Sequence, residues 1–381
     1  MNRKLKIAIL LTTFLIVSNI AQVFAITELS NNSKDSGIQE SKTLILTYDQ
    51  AIESALKSSR LIKSANLDVE RSNEIRNKAD DQLTYMPTWF NNTQVTDVSR
   101  GLFYGLIQAD IGLKTSKKQL TTAEQSVAFT TLRTYNELLS LQKEVELNKS
   151  DLERLKRKKN IVSLKNKYGL ATSIEVQEAE KTIKESEYNL LSNIENVKEK
   201  KIVFNNLLGF SHDKEYILID EPEFHILDYS DEKLLYHIRN VIMDSNLVWI
   251  AEQNMKFAQI DLDLYVYNDP NNLPYRAKEI DLDKANMNVA ETKKKLEETI
   301  HSTYRNIKQL ENQYSILRLK RENAEVMLAK ANIQYELGLI TLNDVKETEF
   351  IIEQLNKNML DVILQHEQLK YIFHMPWTIM N

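Results

Sequence analysis

Cysteine is absent from the 381 residues. This excludes disulfides, thiolate metal sites, Cys nucleophiles and a lipid-bearing Cys behind a leader segment. Glycine and proline are scarce: Gly37, Gly101, Gly105, Gly112, Gly169, Gly209 and Gly338, with Pro87, Pro222, Pro270, Pro274 and Pro376. Because Gly costs about 1 kcal/mol and Pro about 3 kcal/mol inside a helix, these few positions mark breaks between long helices. The spacing predicts helices near 48–80, 114–166, 172–208, 231–263, 280–336 and 341–373. At 1.5 Å per residue the two longest reach about 80 Å, too long for a compact globule. A block of one charge sign is also missing. The net charge is -5, and interspersed Lys and Glu argue against a nucleic-acid surface.

Catalytic signatures are lacking too. There is no P-loop, Rossmann glycine fingerprint, nucleophile elbow or His-Glu-x-x-His. His212, His225, His237, His301, His366 and His374 are scattered without ligand spacing. Asp261-Leu262-Asp263 opens like a calcium loop, but Val266 stands where the loop needs Gly. Neither enzyme activity nor a cofactor or metal is expected.

The N-terminus carries Arg3, Lys4 and Lys6, an apolar run from Ile7 to Val17, and Val23-Phe24-Ala25 as a small-x-small cleavage pattern. Residues 1–25 therefore read as a cleavable signal peptide, since the apolar run is shorter than the roughly 20 residues of a membrane helix. The mature chain begins near Ile26 on this reading, and is exported without a lipid anchor.

Apolar residues repeat every seven positions. Val176, Ile183, Leu190, Val197 and Phe204 form one seam, and Val345, Ile352, Met359, His366 and Phe373 another, as in a coiled coil. His366 reads as a polar register residue on that seam. The chain also repeats itself. A shift of 169 residues lays Gly169–Glu180 on Gly338–Glu349 with six of twelve positions identical, and the register runs on to Phe204 and Phe373 and back to Tyr135 and Tyr304. Earlier in each half, Ser59, Leu61 and Ala65 echo Ser245, Leu247 and Ala251. Internal duplication gives an all-α chain of two tandem helical hairpin repeats. The divisions are 26–46 (polar segment), 47–210 (first repeat), 211–230 (linker), 231–375 (second repeat) and 376–381 (tail). At each turn Gly169 or Gly338 suits a left-handed helix end. Thr172 with Glu175, and Thr341 with Asp344, suit capping boxes.

These residues resemble the TolC-like outer-membrane efflux family. The resemblance rests on Leu46-Thr47-Tyr48-Asp49-Gln50-Ala51 through Leu56, on Tyr168-Gly169-Leu170 through Gln177, on Leu207-Leu208-Gly209, and on Tyr335-Glu336-Leu337-Gly338-Leu339 through Val345. It implies a homotrimeric helical tunnel joined to an outer-membrane barrel, working with a membrane-fusion adaptor and an inner-membrane pump. It also implies adaptor docking at the tips, through Gly169, Leu170, Thr172, Gly338, Leu339 and Thr341, and a tunnel entrance near Glu175, Tyr335, Asp344 and Glu347. The chain departs from the family pattern between the first and second helix of each half. The connectors, about 81–113 and 264–279, are too short or too polar for two strands of 9–11 residues each. A reduced or absent barrel is expected, which suits an envelope without a conventional outer membrane. Tyr85, Trp89, Phe90, Phe103 and Tyr104 gather aromatics in the first connector, so 85–104 either seats at a membrane interface or packs the hairpin end. The rival reading is a coiled-coil envelope scaffold that kept the fold and lost the pore.

Overall fold

The computed structural model describes residues 44–84, 92–265 and 273–380. The chain divides into Met1–Lys42 and Thr43–Asn381, and every described residue belongs to the second unit. The signal peptide, the start of the mature chain, and Tyr85, Trp89 and Phe90 lie outside the described residues.

Among the described residues eight α-helices carry the fold: α1 (Tyr48–Ser58), α2 (Arg60–Thr84), α3 (Asn92–Lys167), α4 (Ser173–Leu208), α5 (Asp231–Asp244), α6 (Asn246–Asp263), α7 (Tyr275–Glu336) and α8 (Leu342–His374). The only strands among the described residues are β1 (Leu44–Leu46) and β2 (Tyr216–Leu218), paired in parallel. The class is all-α, as the sparse glycines and prolines predict. The helices leave no space for two spanning strands in either half, since α2 ends at Thr84 and α3 starts at Asn92, while α6 ends at Asp263 and α7 starts at Tyr275. Among the described residues no helix is long and apolar enough to cross a membrane.

Two expectations need correction. Residues 92–113, read as connector, are helical, so α3 runs for 76 residues, about 114 Å. Gly101, Gly105 and Gly112 lie inside it and break nothing. Apolar neighbours repay their cost: Tyr104 packs on Phe257 of α6 with ring centroids 4.7 Å apart, and Ala109 and Leu113 are buried. The helices predicted over 48–80 and 231–263 are each broken in two, at Ser59 (ψ 122°) and Ser245 (ψ 124°). These are the two serines matched by the repeat. Each Oγ accepts from the backbone N–H three residues on, Ile62 or Val248, at 3.4 Å, so one residue ends one helix and caps the next.

The helices pack side by side in the order α4–α3–α8–α7, with α2 on α3 and α6 on α7. The repeat builds two equivalent cores. In the first, Tyr135 and Tyr216 meet the fully buried Phe204 edge-on at 6.1 and 6.0 Å. In the second, Tyr304 and Tyr229 flank the fully buried Phe373 at 5.9 and 5.4 Å. The end of α4 is fixed by Gly209, whose φ is 74°. A Cβ there would lie 2.5 Å from Ser58 Cβ, and Ser58 Oγ donates to the Leu207 carbonyl at 2.8 Å.

A strap crosses the row over 216–229. Tyr216 packs on α4, the Asp220 N–H donates to Tyr135 Oη of α3 at 3.1 Å, and Phe224 stacks on Tyr314 of α7 and meets His366 of α8. Glu311 of α7 accepts from the Leu227 N–H at 2.7 Å and Lys308 Nζ donates to the Leu227 carbonyl at 2.6 Å. His366 is fully buried on the α7–α8 seam, 3.5 Å from Glu311, so its polar partner sits on the facing helix.

Candidate functional site: paired hairpin tips and unpaired edges

Helices α3 and α7 end in the same way. Leu170 N–H donates to the Lys165 carbonyl at 2.8 Å and Gly169 N–H to Asn166 at 2.9 Å. Leu339 N–H donates to Gln334 at 2.8 Å and Gly338 N–H to Tyr335 at 2.9 Å. This is the Schellman arrangement, with φ 71° at Gly169 and 72° at Gly338. A Cβ on either glycine would meet nothing within 4 Å, so the demand for glycine is conformational.

The returning helices start with carboxylate caps. Glu175 accepts from the Thr172 N–H at 2.6 Å and from Oγ1 at 3.0 Å, while its own N–H donates to Thr172 Oγ1 at 3.2 Å. Asp344 accepts from the Thr341 N–H at 2.8 Å and from Oγ1 at 2.7 Å. These bonds hold both carboxyls below the usual carboxylate range, led by the Thr172 N–H for Glu175 and by the Thr341 hydroxyl for Asp344. Lys165 adds a smaller attraction to both.

A Schellman turn often carries an apolar contact from the residue after the glycine back to the third residue from the helix end. Here those positions are Lys165 and Gln334, and the leucines stay in solvent, Leu170 at 77% exposure and Leu339 at 69%. Tyr168, Ile174, Leu337 and Leu342 are also exposed around them. Sequence reasoning left these four out of the site. Their signal was apolar side chains flanking a turn where polar ones are usual.

The entrance residues are not alike. Glu175 and Asp344 are taken up in capping, and Tyr335 is 44% exposed. Glu347 is bound by Arg154 of α3 at 2.9 Å, and Arg154 also holds Asp151 and stands over the Phe350 ring at 4.8 Å. Glu347, expected at the tunnel entrance, thereby links the two hairpins. Among the described residues no group of three His, Cys, Asp or Glu is placed to hold a metal. Of the aromatics in 85–104, Tyr104 packs on α6 while Phe103 is 50% exposed.

The row of helices ends at α4 and α7, and both edges bear a second apolar stripe. On α4 the packed seam is Val176, Ile183, Leu190 and Val197, but Ile174, Tyr188 and Ile202 are exposed. They fall two residues from seam positions, about 200° around the helix, and so face away from α3. On α7 the seam is Leu310, Leu317, Ala324 and Ala331, while Leu319, Val326 and Ile333 are exposed by the same two-residue offset. Measured from the tips, the two stripes match at two of their three positions, and a flanking apolar pair matches as well. Ile174 and Ile333 each stand five residues from their glycine, Tyr188 and Leu319 nineteen, and Leu191 and Ile316 twenty-two.

No protein-family profile matches the chain, and no curated protein matches it. Solved structures do. The outer membrane protein VceC of Vibrio cholerae aligns with a TM-score of 0.59 at 16% identity, over 87% of this chain and 95% of VceC. The outer-membrane channel OprN aligns with a TM-score of 0.64 at 12% identity, over 87% of this chain and 90% of OprN. The MtrE outer membrane channel of Neisseria gonorrhoeae gives 0.58 at 12%, over 87% and 88%. At these identities the likeness concerns architecture, and the architecture agrees with the doubled hairpin motif: this chain has the TolC-like fold.

Proposed function

We propose that the chain is a passive efflux or secretion duct of the cell envelope. Three copies close into a helical tunnel by joining α4 of one to α7 of the next. The observation that carries this reading is the pair of reverse-face stripes on the two edge helices. Opposed at equal heights above the tips, Ile174 meets Ile333, Tyr188 meets Leu319 and Leu191 meets Ile316 across an antiparallel seam. A single chain leaves both stripes in water, which an oligomer remedies.

The tips dock a membrane-fusion adaptor through Leu170 and Leu339, and an inner-membrane transporter supplies the energy, since the sequence has no nucleotide site. Export by a cleaved signal peptide delivers the chain to the outer membrane or envelope. At the entrance Glu175 and Asp344 present ionised carboxylates that favour cations, whereas Glu347 shares the Arg154 guanidinium with Asp151.

The test is export. Cells lacking the chain should accumulate a fluorescent efflux substrate, and the wild-type chain, but not a Tyr188→Glu/Leu319→Glu variant, should restore efflux. Unchanged efflux without the chain would favour the scaffold reading.

A further inference from the structure

The strap marks one face of the row. The opposite face is found by stepping two residues, about 200°, along each helix from a strap contact. On α7 the strap touches Tyr304 and Glu311, and two residues on stand Asn306 and Gln313, with Gln309 between them. On α8 it touches His366, and two residues on stands Gln368; Gln365, Asn358 and Gln354 continue the same stripe toward the tip. On α4 Lys201 lies over the Tyr216 ring at 5.3 Å, and two residues on, then back by heptads, come Asn196 and Asn189, with Asn193 between them. These ten amides stand sixteen to thirty-two residues from their turn glycines, a band roughly 24–48 Å above the tips. Asn193 and Gln368 are half-buried and the others are exposed.

The carboxylates on this face are held by cations of the same chain. On α3 the step from Tyr135 leads to Glu137, and heptads further on to Glu144 and Asp151. Lys200 of α4 binds Glu137 at 2.8 Å, Lys357 of α8 binds Glu144 at 3.2 Å, and Arg154 holds Asp151 at 2.7 Å. Lys357 also holds Asp361, the one carboxylate within the α8 amide stripe, at 2.7 Å. Toward the tips Lys320 interrupts the stripe on α7. Among these described positions no side chain is aromatic. The band therefore offers a solute chiefly side-chain amides, each both donor and acceptor. Asn196 Nδ2 donates to Asn193 Oδ1 at 3.4 Å.

We infer that this amide band lines the bore of the duct and that it passes neutral, hydroxyl-rich solutes, with linear oligosaccharides as the fitting class. The inference rests on the proposed ring, which sets the bands of three copies around one axis. The strap crosses the other face at the same level, so a bore lined by that face would be obstructed. A hydroxyl, like an amide, is donor and acceptor, and the two pair in either sense. An ion finds its counter-charges already paired, and an aromatic solute finds no ring to stack on. A polypeptide carries charged and apolar side chains for which the band has no partner, whereas an oligosaccharide is polar along its whole length. The ionised caps lie ten or more residues nearer the tips, Asp344 below Gln354 and Glu175 below Asn189, and a neutral solute crosses them without Coulomb cost. Many exchangeable amide contacts give weak, repeated binding, which passage requires.

The test measures saturation transfer by nuclear magnetic resonance from the purified chain to maltoheptaose, beside hexalysine, hexaglutamate and an uncharged glycine–serine peptide. Light scattering on the same sample gives the mass. The triple variant Asn196→Ala/Gln309→Ala/Gln365→Ala removes three exposed amides at nearly one level, and far-ultraviolet circular dichroism checks that its helix content is kept. A trimer should transfer saturation to maltoheptaose more than to the peptides, and the triple variant should lower that transfer about fivefold or more. A trimer with no transfer to maltoheptaose, or with equal transfer after the triple substitution, would overturn the inference and leave the ring standing. Stronger transfer to either charged peptide would overturn the neutral bore, and stronger transfer to the glycine–serine peptide would assign the band to polypeptide instead. A monomeric chain would overturn the ring and the bore with it.

Discussion

Replacing Leu170 and Leu339 by Ser separates docking from packing at the tips. A fully buried Leu contributes about 1.5–3 kcal/mol. With Leu170 77% and Leu339 69% exposed, each retains about a quarter of its contact, or about 0.5 kcal/mol. For a chain larger than about 250 residues 1 kcal/mol moves the melting temperature by less than about 2 °C, so each Ser should lower it by less than about 1 °C. By contrast, Gly169→Ala forces a Cβ into the left-handed region and costs about 1–2 kcal/mol. Thermal melting followed by circular dichroism measures both. In parallel, crosslinking to a co-expressed adaptor and efflux of a reporter substrate should be lost in the double Ser variant. A fall of several degrees with normal crosslinking would refute the reasoning, because the leucines would then be packing residues.

Three further outcomes follow from the geometry. Phe204→Ala and Phe373→Ala occupy equivalent, fully buried positions and should each cost about 3–5 kcal/mol in denaturant unfolding; a mild effect at one alone would contradict the equivalence of the two cores. Arg154→Ala should cost about 1–2 kcal/mol, because it breaks charge-assisted bonds to Glu347 and Asp151, and Arg154→Lys should rescue it only in part since the planar fork is lost; additive effects of Arg154→Ala and Glu347→Gln in a double-mutant cycle would show no coupling. Glu175 and Asp344 have carboxyls lowered by their caps, so their contribution is present above the unfolded carboxylate pKa and is lost as pH falls through the lower folded value. Protection of the tip amides against hydrogen exchange, taken relative to the intrinsic rate at each pH, should fall as the pH drops below the ordinary carboxylate range, and Glu175→Gln with Asp344→Asn should abolish that dependence.

The tips and the repeat were legible in the sequence because local chemistry determines them. Gly169 and Gly338 require a left-handed backbone, and Thr172 and Thr341 cap with residues three positions on, all within one turn. The heptad seam through Phe204 and Phe373 was equally local. Three features were not. Gly101, Gly105 and Gly112 read as breaks because propensity ignores the packing of Tyr104, Ala109 and Leu113. Ser59 and Ser245 looked like ordinary helix residues although the repeat matched them, since serine breaks a helix only where its turn is also held from outside. The strap was out of reach, for its anchors join 216–229 to Tyr135, Tyr304, Glu311 and His366 across large sequence separations.

The most direct test of the central claim is the mass of the chain without residues 1–25, measured by light scattering in solution together with its helix content. Closure of α4 onto α7 predicts a fully helical particle near three chains that falls to one when Tyr188→Glu and Leu319→Glu charge the two edges. A stable, fully helical monomer of the unmodified chain would contradict the tunnel.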